Sequence, residues 1–285
     1  MDKVSIILPL FNGEKYIKKL ISSIREQDVN FELEIIAAVS KSTDNSFYLA
    51  EKLCDIVYQV EIFNHAKTRH EAALRASGEI LVFITQDIIP FNNYWLQNLV
   101  TPLKDNNNNI VATYSKQVAH PDASETEKLI RKFNYPDYNR LCNNKTKYKW
   151  GRKNIFYSDT SSATIKGVFL ELGGYNFEVG TNEDVIYALN VINNEKSILY
   201  NSESIVYHSH DFKIKSAYNR YKLIGEFEKK YIHELKSYSS LSEGRLLLNF
   251  LLRNLIKKFK LKDLGLLGID LLIRYLAYRK GYKSI

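Results

Sequence analysis

An α/β fold with a doubly wound parallel sheet, followed by a helical tail, is what three features of this 285-residue sequence predict. Short apolar runs alternate with helix-spaced amphipathic segments through the first half, the pattern of a buried sheet wrapped by helices. The runs end abruptly in Gly, Asn, Asp or Ser, the residues that turn a chain. From about residue 213 onward the sequence is helix-spaced and contains no proline.

Val4-Ser5-Ile6-Ile7-Leu8-Pro9-Leu10 is almost continuously apolar, as a strand covered on both faces must be, and Asn12-Gly13 breaks it. Tyr16, Ile17, Leu20, Ile21 and Ile24 recur at helical spacing among lysines and Arg25, giving a helix able to cover the sheet. Residues 33–39 form the second strand. Ser42-Thr43-Asp44 offers caps for a helix to about Leu53, and residues 56–60 complete a βαβαβ half. Residues 68–77 have helical character stopped by Gly78, and residues 79–85 form an apolar strand ending in Gln86-Asp87. A polar loop over 105–109 precedes a strand at 110–114. Residues 116–160 read as irregular, and 160–172 as ordered again until Gly173-Gly174.

Composition narrows the classes. Cys54 and Cys142 stand apart, so neither a disulfide framework nor a zinc site is expected, and a reducing compartment fits. Met1-Asp2-Lys3 runs into the first strand without the basic and apolar regions of a secretion signal. The formal charge of +8 falls entirely in residues 245–285, where ten Lys/Arg face Asp263 and Asp270. With the remainder balanced, no nucleic-acid-binding surface is expected.

Several constellations could carry chemistry. Asp87 ends a buried strand, where ligands of α/β sheets bind; it could hold a divalent cation bridging two phosphates, or simply cap a turn. Glu183-Asp184 precedes an apolar helix, and a carboxylate there could take a proton from a sugar hydroxyl or cap the helix. His208-Ser209-His210 follows a strand-like run and places two imidazoles at i, i+2, suitable for metal or phosphate. His65, Lys67 and Arg69 enter a helix whose N-terminus favours anions, so they could touch a pyrophosphate or form a solvated basic turn.

The order of these segments, from Val4 to about Phe212, resembles the family 2 glycosyltransferases of the GT-A fold, and among them the bacterial rhamnosyltransferase-like branch. Val4 through Gly13 looks like the family's first strand and its turn against the nucleoside, implying donor contacts at Pro9, Phe11 and Asn12. Ser42-Thr43-Asp44 resembles the motif that holds base and ribose, so Asp44 is carried over as a nucleotide contact, while Ser40 stands where the family usually has Asp. Phe63 through Arg69, Ala72-Ala73, Gly78-Glu79 and the Thr85-Gln86-Asp87 segment match the rhamnosyltransferase-like form of the family's metal motif. His65, Arg69, Gln86 and Asp87 are thereby implied at the donor. His70 replaces the usual Asn. Glu183-Asp184 matches the family's acidic motif, with Asp184 as base beside Glu183. His208 and His210 resemble the segment closing over phosphates or metal, so the resemblance implies Mg or Mn held by Asp87 and His210.

The resemblance implies a Rossmann-like nucleotide-sugar-binding domain over 1–212, with a donor half at 1–115 and an acceptor half at 116–212. It also implies an inverting transfer, of L-rhamnose from dTDP-β-L-rhamnose, to a lipid-linked or polysaccharide acceptor in cell-surface glycan synthesis. A UDP-hexose or UDP-N-acetylhexosamine donor, or an inactive glycan-binding or nucleotide-sugar-binding subunit, are the alternatives. Residues 213–285 form a basic amphipathic extension whose apolar stretches are interrupted before spanning length. It is expected either to lie on the inner face of the cell membrane or to pack as a helical hairpin on the catalytic domain or in a homo-oligomer.

Overall fold

The computed structural model describes residues 2–105, 107–209, 213–238 and 240–285. The first half alternates as the apolar pattern demands: β1 (Lys3–Leu10), α1 (Glu14–Arg25), β2 (Glu32–Ser40), α2 (Ser46–Leu53), β3 (Ile56–Val60), α3 (His65–Arg75) and β4 (Ile80–Ile84). Val4, Ile6, Ile7 and Leu8 of β1 are fully buried, while α1 turns Ile17, Leu20, Ile21 and Ile24 onto the sheet. Helix α3 begins three residues before the sequence pattern suggests, because the Asn64 side chain caps it by accepting from the Lys67 N–H at 2.9 Å.

Next come β5 (Ile89–Pro90), α4 (Trp95–Lys104), β6 (Ile110–Val118), α5 (Glu125–Asn134), β7 (Arg140–Cys142), α6 (Lys147–Trp150), β8 (Ser161–Ile165), α7 (Lys166–Glu171), α8 (Glu183–Asn193) and β9 (Ser197–Tyr207). The segment read as irregular over 116–160 therefore contains the end of β6 together with α5, β7 and α6. A start signal was present: Ser124 caps α5 by accepting from the Glu127 N–H at 3.2 Å, three positions on.

All nine strands among the described residues join one sheet in the order β3-β2-β1-β4-β8-β6-β9-β5, with β7 also on β9. The half from β3 to β4 is parallel, as expected. Beyond it the sheet is mixed, because β8 runs antiparallel between β4 and β6. That inversion brings the residues just before β8 to the edge where β1, β2, β4 and β6 end. Two apolar cores lie on the faces of the sheet, one around Phe83, Phe169 and Tyr187 and the other around Ile17, Val82 and Trp95.

The tail comprises α9 (Ile214–Lys230), α10 (Ile232–Leu235), α11 (Ser240–Lys257) and α12 (Leu261–Tyr282). It packs on the α/β part of the chain. Leu251, Leu255 and Leu267 bury against Leu129 of α5, each worth roughly 1.5–3 kcal/mol of transfer energy. Arg152 pairs with Glu228 at 2.7 Å. Helices α9 and α12 meet backbone to backbone: a Cβ on Gly225 would lie 2.2 Å from the Tyr278 carbonyl oxygen, and one on Gly281 would lie 1.9 Å from that of Lys222. The opposite side of α12 exposes Leu261, Ile269, Leu272 and Leu276.

Candidate active site

Candidate residues gather at one edge of the sheet, the position at which open α/β sheets bind ligands. After β1 the chain turns through Asn12, held at a left-handed φ of 45°, a region that Asn tolerates better than most residues. Its backbone N–H donates to Ser42 Oγ at 3.0 Å, and its Oδ1 accepts from the Thr43 N–H at 2.9 Å. Asp44 ties the same two turns together, accepting the Glu14 N–H at 3.1 Å and the Ser46 N–H at 3.0 Å. Burial works to raise the Asp44 pKa, but the hydrogen bonds from Ser46 and from the backbone outweigh it and hold the carboxyl below its usual value. Ser40 is buried at the end of β2, and its hydroxyl has no hydrogen-bond partner among the described residues.

Gln86 spends both ends of its amide on one residue: Oε1 accepts the Phe11 N–H at 2.9 Å and Nε2 donates to the Phe11 carbonyl at 3.0 Å. It thereby fixes the loop after half-buried Pro9 and leaves the Phe11 ring 55% exposed. The side chain that carried the resemblance to one donor class therefore positions backbone.

Next to it, Asp87 Oδ2 lies 3.6 Å from Nε2 of buried His208. The tautomer follows from the network behind the ring. Gln117 Nε2 donates to Ser158 Oγ at 2.9 Å, so Gln117 Oε1 is the acceptor facing His208 Nδ1 at 2.9 Å, and Nδ1 carries the hydrogen. Nε2 is then the ring nitrogen turned toward the carboxylate. A carboxylate oxygen and an imidazole nitrogen converging in this way could supply two ligands to a divalent cation, the nitrogen donor fitting Mn better than Mg, and the Gln117 amide is the kind of outer partner that metal-bound histidines use; no group of three or more such ligands gathers among the described residues. His210, expected with Asp87 at a metal, lies outside the described residues; it is His208 that the fold brings to Asp87.

A second centre forms where α3 and α8 begin. Arg69, only 4% exposed, donates from Nη1 to Glu183 Oε1, to the His65 carbonyl and to His65 Nδ1, each at 3.2 Å. Its Nε lies 3.6 Å from Asp159 Oδ2. Arg69, expected at a pyrophosphate, is thus enclosed among carboxylates. Asp159 is 5% exposed and accepts the Tyr175 hydroxyl at 2.6 Å. Burial pushes the Asp159 carboxyl up to about 6, with Arg69 opposing and Glu183 adding to the rise. Asp184 is pushed well above the usual carboxylate range by burial and then by the charges of Asp159 and Glu183. Burial, followed by the neighbouring Arg69, lowers His65, in keeping with its Nδ1 serving as an acceptor. The residue preceding the pair, Asn182, takes a left-handed φ of 64°, a strained conformation of the sort that clusters at functional sites.

Sequence reasoning missed Ser158-Asp159, which joins the two centres: Ser158 touches the Gln117–His208–Asp87 side and Asp159 the Arg69–Glu183 side. His70, which replaces the usual Asn, has a structural task. Its Nδ1 accepts the Tyr175 N–H at 3.3 Å, and its ring lies against Gly174, where a Cβ would come within 2.7 Å of it.

Residues 5–173 match the family described as Glycosyl transferase family 2. The chain is 28% identical to the O-antigen chain rhamnosyltransferase RfbN of Salmonella typhimurium, over 79% of this chain and 72% of that protein. It is 29% identical to the O-antigen chain rhamnosyltransferase WbaN of Salmonella anatum, over 80% and 72%. Among solved structures, the mannosyltransferase PcManGT from Pyrobaculum calidifontis in complex with GDP-Man and Mn2+ superposes with a TM-score of 0.63 at 18% identity, covering 98% of this chain and 83% of that one. S. aureus TarS 1–349 gives 0.58 at 20% identity, covering 90% and 72%. These two likenesses speak to the fold, which is GT-A. The chain belongs to glycosyl transferase family 2, in its rhamnosyltransferase-like branch.

Proposed function

We propose that this glycosyltransferase moves L-rhamnose from dTDP-β-L-rhamnose, with inversion, onto a lipid-linked or polysaccharide acceptor of a cell-surface glycan. The observation that carries the reading is the pair of centres joined by Ser158-Asp159: a basic carboxylate on one side and a diphosphate-side carboxylate with imidazole on the other. The rhamnose assignment is supported by the two Salmonella relatives.

In the mechanism, Asp184 accepts the proton of the acceptor hydroxyl as that oxygen forms its bond to the anomeric carbon. The bond from that carbon to the donor diphosphate breaks on the opposite face, its electron pair leaving with the nucleotide. A carboxylate whose pKa is raised is, in its ionised form, a stronger base toward the acceptor hydroxyl. Arg69 balances the buried charges of Glu183 and Asp159 beside the base. Asp87 and His208 would hold a divalent cation, and such an ion offsets negative charge on a departing diphosphate. Asp44, Asn12 and Gln86 order the turns against which a nucleoside would rest.

Incubation of the protein with dTDP-rhamnose and a panel of UDP-sugars, with Mg2+ or Mn2+ and then with chelator, tests the reading through released nucleoside diphosphate in the presence of membrane lipid extract. Release from dTDP-rhamnose is expected, and Asp184→Asn should lose at least 100-fold in transfer, about 2.7 kcal/mol, while still binding nucleotide. Full activity of Asp184→Asn would remove the base assignment, and release from a UDP-sugar alone would replace rhamnose.

We further propose that the outer face of α12 lies on the cytoplasmic surface of a membrane. No helix among the described residues is long and apolar enough to cross one. The exposed Leu261, Ile269, Leu272 and Leu276 are flanked by Lys257, Lys258, Lys260 and Lys262 at one end and by Arg279, Lys280 and Lys283 at the other. Each cation near an anionic surface adds roughly 1 kcal/mol. Leu272→Asp should release the protein from phosphatidylserine-containing vesicles without altering its melting; unchanged flotation would discard the proposal.

A further inference from the structure

Where α5 meets α12, a cavity of about 150 Å3 opens between the catalytic domain and the tail. Ser124, Thr126 and Glu127 line it from α5 and its cap, Leu266, Leu267 and Asp270 from α12. Ser209 lines it as well, and this residue directly follows His208. The Ser209 hydroxyl accepts the His120 N–H at 3.3 Å, and His120 in turn lines a second cavity of about 110 Å3 shared with Gln86 and Asp87. The His120–Ser209 contact is therefore common to the donor-side cavity and the tail-side one.

The chemistry of the lining selects its occupant. Carboxylates at Glu127, Asp263 and Asp270 and hydroxyls at Ser124, Thr126 and Ser209 can bond sugar hydroxyls, while Ile130, Leu266 and Leu267 offer an apolar surface to the C–H face of a ring. A phosphate is disfavoured by three carboxylates. The one arginine in the lining, Arg274, donates to Asp270 at 2.6 Å and to the Tyr221 hydroxyl at 2.6 Å, and its guanidinium lies over the Tyr221 ring. A space of about 150 Å3 limits what it can seat to one sugar ring rather than a run of them.

We propose that this cavity is an acceptor subsite for one neutral pyranose of the glycan being extended, gripped between the catalytic domain and the tail. The inference rests on the glycosyltransferase reading above and deepens it by placing the acceptor. Through Glu127, whose carboxylate accepts from Arg131 Nε at 2.8 Å, the subsite is continuous with Gln117, to which Arg131 also donates.

The test uses the full chain, with methyl α-glycosides of rhamnose, mannose, galactose, glucose and N-acetylglucosamine as probes. Saturation-transfer NMR is recorded with and without dTDP. At least one glycoside should bind, and Thr126→Trp and Leu266→Trp, which fill the cavity from opposite walls, should each raise its Kd at least tenfold with dTDP affinity unchanged. Inorganic phosphate should not displace it. Absence of binding by every glycoside, binding that persists in both filled variants, or displacement by phosphate would each overturn the subsite. Failure of the native chain to bind dTDP, with glycoside binding intact, would instead strike at the donor reading and leave the sugar site standing.

Discussion

Replacing Arg69 by Met should expose how the buried carboxylates are balanced. The guanidinium serves Glu183 at 3.2 Å and Asp159 at 3.6 Å, in a site where both partners are nearly inaccessible. Removing one member of a buried ion pair costs about 3–5 kcal/mol, because the survivors keep their desolvation penalty without its compensation. The deficit should depend on pH in a definite direction. Asp159 has its folded-state pKa pushed up to about 6, so the native state binds its proton more tightly than the unfolded chain does. Its contribution is most favourable below pH ~4 and declines until about pH 6, by roughly 3 kcal/mol for a rise of about two pH units. Without Arg69 the carboxyl becomes harder still to ionise, and the declining window moves to higher pH. Urea denaturation should therefore find Arg69→Met least impaired near pH 5 and most impaired above pH 7. A deficit below about 1 kcal/mol, or one that is flat from pH 5 to 8.5, would refute the account of the cluster.

Asp159→Asn removes a negative charge that helps to keep Asp184 basic, so the acid limb of the transfer rate should move to lower pH; a limb that stays in place would show that burial alone sets the base. Two glycines of α12 should respond in opposite senses. Gly281→Ala drives a methyl into the Lys222 carbonyl and should cost about 1–3 kcal/mol in denaturant melts, whereas Gly268→Ala, which meets open space, should stabilise by roughly 0.5–1 kcal/mol. Equal effects at the two positions would contradict the packing of α9 on α12.

The strands from β1 to β4 were legible because burial on both faces requires the unbroken apolar runs that the sequence displays. The direction of β8 was not, since residues 161–165 pair equally well on paper in either sense, and only the chain on both sides decides. The acidic pair at the start of α8 was read as a candidate base, and Asp87, just beyond β4, as a candidate metal or diphosphate contact. What escaped was the company those residues keep. Nothing local marks Asp159, which acquires its role from Arg69, ninety positions earlier, and from Tyr175, sixteen positions later. Gln86 was visible as a motif member, but its attachment to the Phe11 backbone depends on β1 and β4 lying side by side. Helix α5 had its cap in plain sight at Ser124, obscured by the polar and aromatic clusters around it.

The seam between α9 and α12, where Gly225 and Gly281 let backbone rest on backbone, also bears on how this protein can diverge. With the tail anchored through its inner side, the outward residues of α12 carry no duty to the fold. Substituting them leaves the seam untouched, so what that face meets can be altered by surface substitution alone. The catalytic domain need not be retuned, because the change ends at the outer face of one helix.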